Sequence, residues 1–298
     1  MKASIRVAKS DRLFYFVSNC VMAFALFITL YPLYFVVIAS ISAQSEVAIG
    51  NVFLWPKKIQ FTGYEKVFSY STIWPAYRNT IFYAITGTMT SLLGTISAGF
   101  VFSRRGIVGS RICMLAVIFT MYFSGGLIPS YFNIQSLGML NTVWAMIIPG
   151  AISGYYLILT RSFIQSTIPE ELWEASAIDG CSHVNFFVRV VVPLSTPLIA
   201  VMALFSVVGQ WNSYMSALIY LRDRNLYPLQ LILQEILVNN QISFSAMNLD
   251  VQEMQQRMNL AEALKYSLIV ISSLPILAIY PFFQRFFIKG IMIGSVKG

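Results

Sequence analysis

Residues 14–40 read FYFVSNCVMAFALFITLYPLYFVVIAS. A helix that crosses a bilayer needs about 20 mainly apolar residues, and this stretch exceeds that. Lys2, Arg6, Lys9 and Arg12 precede it, as in a secretory leader. The apolar run is too long for a leader's short core, and no small-residue cleavage site closes it. It therefore reads as a retained anchor. Working outward, five more runs have the same character: Tyr77–Phe102, Ile112–Phe132, Thr142–Phe163, Pro197–Leu221 and Ala263–Phe283. The expected fold is an all-α polytopic membrane protein with six transmembrane helices. It divides into an N-terminal segment 1–13, a membrane domain 14–284 and a tail 285–298.

Composition agrees. Hydrophobic residues make up 57% of the 298 and charged residues 11%, against roughly 25% charged in soluble domains. Mean hydropathy is +0.69. The formal net charge of +8 suggests nucleic acid as a partner. The basic residues, however, sit in short segments between apolar runs, which is a topology signal. Short segments with Arg104, Arg105, Arg111, Arg161, Arg189, Arg285, Lys289 and Lys297 belong inside, together with both termini. The long segments 41–76 and 222–262 belong outside. Cys20, Cys113 and Cys181 have no paired spacing, and His183 has no second His or Cys nearby. They read as isolated thiols and an ordinary loop residue, with no metal site.

Gly87, Ser91, Thr95 and Gly99 recur at four-residue spacing on the second run, a small-residue face for close helix packing. Between the fourth and fifth runs lies Thr167-Ile168-Pro169-Glu170-Glu171-Leu172-Trp173-Glu174-Ala175-Ser176-Ala177-Ile178-Asp179-Gly180. Thr167 and Glu170 have capping-box spacing, Pro169 suits a first turn, and Gly180 suits a left-handed stop. Ser182 can cap a second short helix reaching Pro193. Helices that lie on lipid carry Lys and Arg on the polar face. This one displays Glu170, Glu171, Glu174 and Asp179, which the anionic inner leaflet repels. Docking on a partner protein suits it better than a bland solvated loop does.

Glu174-Ala175-Ser176, Gly180, Val190 and Val192-Pro193 resemble, in residue type and spacing, the EAA loop of ATP-binding-cassette (ABC) importer permeases. Ser176 stands for that loop's second alanine, and Val190 and Val192 for its usual Ile and Leu. The resemblance implies a cytoplasmic coupling-helix loop at 170–193. Its ATPase-coupling residues would be Glu171, Glu174, Ala175, Ser176, Asp179 and Gly180. The ending Tyr280–Gly298 looks like that of carbohydrate permeases, similar to the smaller maltose-transporter permease. Phe123–Pro129 and Tyr227-Pro228-Leu229-Gln230 resemble the branch that handles oligosaccharides. The resemblance further implies a prokaryotic inner-membrane importer subunit with a second, homologous permease chain. Two ATPase subunits holding ATP and Mg, and an extracytoplasmic solute-binding protein, complete it. The chain itself needs no cofactor.

Gln210-Trp211-Asn212-Ser213-Tyr214 lies near the middle of the fifth run. Unpaired polar groups in hydrocarbon cost several kcal/mol, so Gln210, Asn212 and Ser213 must face helices or a wet cavity. With the faces of Trp211 and Tyr214 they can line a sugar path, or they can only tie the bundle together. The long segment 222–262, polar at Asn239-Asn240-Gln241 and Met247–Met258, either touches the binding protein or caps the outer surface. No phosphate-binding G-x-x-x-x-G-K-[ST] motif occurs, nor a catalytic triad, and no Asp or Glu sits at the centre of a run. Energy must come from another subunit, and the chain is not expected to be an enzyme. A stand-alone carrier or channel is the alternative. Lys57, Lys58 and Arg78 near the outer face lean towards an acidic oligosaccharide, such as alginate or a pectin fragment.

Overall fold

The computed structural model describes residues 9–242 and 251–295, with side-chain surroundings for 11–239, 255–284 and 286. Every regular element among the described residues is helical. Three helices are long and apolar enough to cross a membrane: Asp11–Ser40 within α1 (Lys9–Ser40), α4 (Ile73–Ser103), and Gln255–Gln284 within the last helix. The other three expected spans are not single helices.

The third run divides into α5 (Ser110–Tyr122) and α6 (Leu127–Ser136), broken before Gly126 at φ +86°. The fourth divides into α7 (Trp144–Ile147) and α8 (Gly154–Thr167) around Pro149-Gly150. The fifth divides into α12 (Thr196–Trp211) and α13 (Tyr214–Tyr220) at Asn212-Ser213. Pro removes a backbone donor and Gly tolerates φ > 0, so these residues punctuate apolar runs that hydropathy alone reads as continuous. Irregular backbone at membrane depth survives where it lines a cavity, and Pro149, Gly150, Asn212 and Ser213 line one.

Two compact units emerge, the first from the chain up to Tyr70 with Leu237–Ser273, the second from Ser71–Ile236 with Leu274 onward. In the first, α1 leads into α2 (Gln44–Ala48) and α3 (Thr62–Ser69). Gln44 Nε2 donates to the Ala39 and Ser42 carbonyls at 3.0 and 3.1 Å, and Lys58 pairs with Glu46 at 2.7 Å. Phe14, Phe24 and Leu33 on α1 are two-thirds exposed, an apolar surface that suits lipid or another membrane chain.

In the second unit α4 is the axis, packed along α8 and α12. Its 31 residues rise roughly 46 Å at 1.5 Å each, enough for a tilted span. Its small-residue face is buried as expected. Ser206 Oγ donates to Ser91 Oγ at 3.4 Å, and a side chain added at Gly99 would meet Thr160 Cγ2 at 2.5 Å. At its start, Asn79 Nδ2 donates to the Asn225 and Tyr227 carbonyls (2.6 and 3.1 Å) and Tyr83 OH to the Leu226 carbonyl (2.8 Å). A core of Tyr83, Met146, Ile147, Ala217, Leu221 and Leu231 gathers at this end. At the other end sits a second core of Phe100, Ile164, Ile168, Phe186 and Val191.

Much of the long segment 222–262 is helical. After the short turn Arg224–Leu226, α14 (Leu229–Ile242) buries Leu229, Leu231, Ile232, Leu233 and Ile236. Asn239, Asn240 and Gln241 lie in its last turns, while residues 243–250 lie outside the described chain. The final helix α15 (Val251–Ser295) contains Pro275 and Pro281 and continues past the expected boundary at residue 284.

Candidate functional site

The segment 167–194 folds as two short helices at the core-two end of α4. α9 (Glu170–Ile178) follows Pro169, which occupies the N-cap, and has no side-chain cap. The expected capping box therefore does not form. Thr167 instead closes α8, since an N-cap must adjoin the helix it caps and Pro169 intervenes. The C-terminal stop forms as read. Gly180 has φ +75°, its N–H donates to the Ala177 carbonyl at 3.0 Å and that of Cys181 to the Ser176 carbonyl at 2.9 Å. This paired pattern needs a left-handed residue at Gly180.

Ser182 Oγ accepts from the Asn185 N–H at 3.3 Å and caps α10 (His183–Phe186). A π-helical turn, Phe187–Val191, and α11 (Val192–Leu194) carry the chain to Ser195. There the axis bends 78° into α12. Pro193 and Pro197 each lack the N–H that a straight helix would use.

No residue of α9 is buried. Glu171, Glu174, Ala175, Asp179 and Gly180 are exposed, and Ser176 is half-buried with its hydroxyl donating to the Trp173 carbonyl at 2.8 Å. Beside these acids, Ile178 and Val184 are 87% and 70% exposed. The helix pair thus presents acidic groups and exposed apolar side chains together.

Besides the second core, a side chain that sequence reading missed binds this pair to the bundle. Arg104, the C-cap of α4, inserts its guanidinium among Phe100, Trp173 and Phe186, 4.7, 5.0 and 4.9 Å from the ring centroids. Its Nη1 lies 3.8 Å from Glu170 Oε1. Burial holds the Arg104 guanidinium below its ordinary pKa, and the Glu170 carboxylate opposes that. Trp173 also meets His183 at 4.3 Å, so His183 is an aromatic neighbour rather than an ordinary loop residue. Arg161 Nε and Gln165 Nε2 donate to the Phe102 and Ser103 carbonyls at 3.0 and 3.2 Å, locking α8 to the end of α4. The signal available was an Arg directly after an aromatic-rich helix end, with Trp and Phe recurring in the acidic segment.

Midway along α4, at Gly87 and Ser91, a cleft of about 790 Å³ opens between α4, α6, α8 and α12. Gln210, Asn212 and Ser213 line it. Trp211 and Tyr214 do not. Trp211 is 3% exposed, its ring 6.3 Å from that of Tyr77, and Tyr214 packs on the first core. The helix break at Asn212-Ser213 turns these two side chains away from their neighbours' direction. Tyr156 and Phe205 supply the aromatic wall, stacked at 6.5 Å and 25°, with Tyr220 nearby. Gln210 fits over Gly87, where an added Cβ would meet its Nε2 at 2.5 Å. Its Oε1 is buried without a hydrogen-bond donor. Among the described residues no charged side chain lines the cleft and no cluster of metal-ligating side chains occurs.

Residues 2–293 match the family described as binding-protein-dependent transport system inner membrane component. The chain belongs to this family. The permease is 40% identical over 271 residues to "Protein LplC" of Bacillus subtilis (strain 168), covering 91% of this chain and 90% of that one. It is 37% identical to the "Polygalacturonan/rhamnogalacturonan transport system permease protein YtcP" of the same organism, over 93% and 95% of the two chains. Among solved structures it matches a chain of "a bacterial ABC transporter involved in the import of the acidic polysaccharide alginate". There the TM-score is 0.83 and the identity 30%, over 95% of this chain and all of that one. The permease is thus a multi-pass inner-membrane transport subunit.

Proposed function

We propose that the permease is the membrane subunit of an ABC importer for oligosaccharides, with acidic ones favoured. Separate ATPase subunits, holding ATP and Mg, grip α9 and α10. A homologous permease completes the cavity, and an extracytoplasmic binding protein delivers the sugar. Both termini face the cytoplasm in this reading, and the chain has no ATPase site of its own.

The observation that carries the reading is that α4, α8 and α12 join two structures. At mid-height they hold an uncharged, hydrogen-bonding cleft. At one end they hold an acidic, unburied helix pair. A tilt of that pair, driven by closure of the ATPases, moves the helices that line the cleft, which is the requirement of alternating access. Stacked Tyr156 and Phe205 suit a sugar ring face. The unpartnered Gln210 Oε1 suits a sugar hydroxyl, because a buried acceptor without a donor costs about 1–3 kcal/mol.

The preference for acidic sugars draws on the relatives named for polygalacturonan and alginate. In this chain amide and hydroxyl donors, not cations, would meet the carboxylates, since Lys57, Lys58 and Arg78 do not line the cleft. The test is ATP-driven uptake by the complete complex in proteoliposomes, supplied with binding protein and labelled oligogalacturonide, alginate and neutral oligomers. Uptake should require ATP and the binding protein, and acidic oligomers should outcompete neutral ones. Ion-driven uptake by this chain alone would overturn the assignment.

A further inference from the structure

A second, open cavity lies beside the loop between α4 and α5. Gly106 and Gly109, both at φ +81°, turn the chain between α4 and α5. The cavity volume is about 500 Å³. Four arginines line it, Arg104, Arg105, Arg111 and Arg161, with no Asp or Glu among its lining residues. Arg104 is committed to Glu170 and its aromatic cage. Arg161 spends Nε on the Phe102 carbonyl, leaving its terminal nitrogens for another acceptor. Arg105 and Arg111 are exposed, and among the described residues neither forms an ion pair.

The opposite wall is apolar: Ile107, Met114, Leu115 and Ile118. It continues into an open apolar face of α5, where Ile112 is 73% and Phe119 58% exposed. The loop tip adds Val108, 99% exposed, between the two free arginines. A valine in that position gains nothing from water but gains from acyl chains. The cavity therefore has a cationic head at the end of a membrane-spanning helix and an apolar track leading along α5 into the membrane.

We infer that this cavity binds an anionic phospholipid, its phosphate held by Arg105, Arg111 and Arg161 and its acyl chains lying along Leu115 and Ile118. Guanidinium groups take phosphate through paired N–H donors. Basic pockets between membrane helices on the cytoplasmic side are sites for acidic headgroups. An acidic segment of a partner protein would satisfy the arginines equally. It would leave Val108 and the apolar face of α5 without a counterpart, so the lipid accounts for more of the cavity. The inference does not rest on the sugar assignment or on the role of α9.

Native mass spectrometry of the purified importer complex tests it, with cardiolipin, phosphatidylglycerol, phosphatidylcholine and glycerol 3-phosphate as probes. The two anionic lipids should bind this permease at low micromolar concentration, phosphatidylcholine should not, and millimolar glycerol 3-phosphate should not displace them. Arg105→Gln with Arg111→Gln should weaken the tightest lipid adduct at least tenfold. Because that variant could assemble poorly, a phosphatidylglycerol with a photoreactive acyl chain provides a second readout on wild-type complex. It should label the peptide containing Met114 and Leu115. Unchanged lipid affinity in the double variant, equal binding of phosphatidylcholine, or displacement by glycerol 3-phosphate would overturn the proposal. So would cross-linking of residue 111 to an acidic stretch of a partner subunit.

Discussion

Removing the Arg104 side chain should uncouple ATP hydrolysis from transport without dismantling the complex. α9 buries none of its own residues; it meets the bundle through Trp173, packed on the second core, and through Trp173 and Glu170 meeting Arg104. The Arg104 side chain is 12% exposed, and a desolvated cation–π contact is worth about 2 kcal/mol or more. Three rings sharing one charge add less than three times that, roughly 3 kcal/mol together. The Glu170 pair, at 3.8 Å with that carboxylate side chain 35% exposed, adds no more than about 1 kcal/mol. Against this stand Arg104 Nε and Nη2, buried without partners, which cost about 1–3 kcal/mol.

Arg104 thus contributes about 1–3 kcal/mol towards the seated helix pair, or about 5- to 140-fold in its population at 1.4 kcal/mol per tenfold. Arg104→Ala should therefore cut sugar moved per ATP about tenfold while ATPase activity persists. Arg104→Lys should restore little, because an ammonium lacks the plane that fits among three rings. The assay measures uptake and phosphate release on the same proteoliposomes, with subunit ratios checked by gel. A purely structural loss would lower both rates together. An unchanged ratio in Arg104→Ala, with Arg104–Trp173 coupling below about 0.3 kcal/mol in a double-mutant cycle of thermal stability, would refute the reasoning.

Other substitutions probe separate parts. Gly87→Val should push the Gln210 carboxamide into the cleft and raise the transport KM several-fold, as read in uptake titrations, with assembly intact. Gly99→Val collides with Thr160, and overpacking at such a helix contact should cost about 1–3 kcal/mol, seen as a lower melting temperature of the complex. Gly180→Ala forces a side chain into φ +75° at about 1 kcal/mol, which should lower the sugar-to-ATP ratio modestly. Hydrogen bonds from Lys58, first, and from Asn51 hold the Glu46 carboxyl below its ordinary value of 4.5. A depressed carboxylate stabilises above the unfolded-state pKa and loses that as pH falls through the folded one. The stability gap between wild type and Lys58→Gln should thus be full at pH 6 and shrink progressively as pH falls below 4.5, by thermal melts across that range.

Hydropathy was enough to place the apolar runs, because a bilayer imposes one length and one composition on every span. It could not locate the breaks, because a run such as Pro197–Leu221 is equally apolar whether its backbone is straight or interrupted at Asn212. That interruption decides which of five consecutive residues face the cleft, so Gln210, Asn212 and Ser213 were legible and the turning away of Trp211 and Tyr214 was not. The aromatic wall escaped because Tyr156 and Phe205 belong to separate segments, and only packing brings their rings together. The helix pair α9 and α10 was legible in detail at Gly180 and Ser182, where backbone chemistry is local. Arg104 lies 66 positions before Glu170, and basic residues near a membrane face read first as topology.

The central claim is that α9 and α10 are the handle on which a separate ATPase pulls. The most direct measurement is site-specific disulfide formation from Ala175→Cys, with Cys20, Cys113 and Cys181 replaced by Ser, in the complete complex in native membranes. The account predicts a cross-link to the ATPase subunit that stops sugar uptake and is reversed by reductant. Accessibility of the introduced thiol only to a membrane-impermeant reagent added outside the cell, or a full-rate importer with no cross-link to any ATPase position, would contradict it.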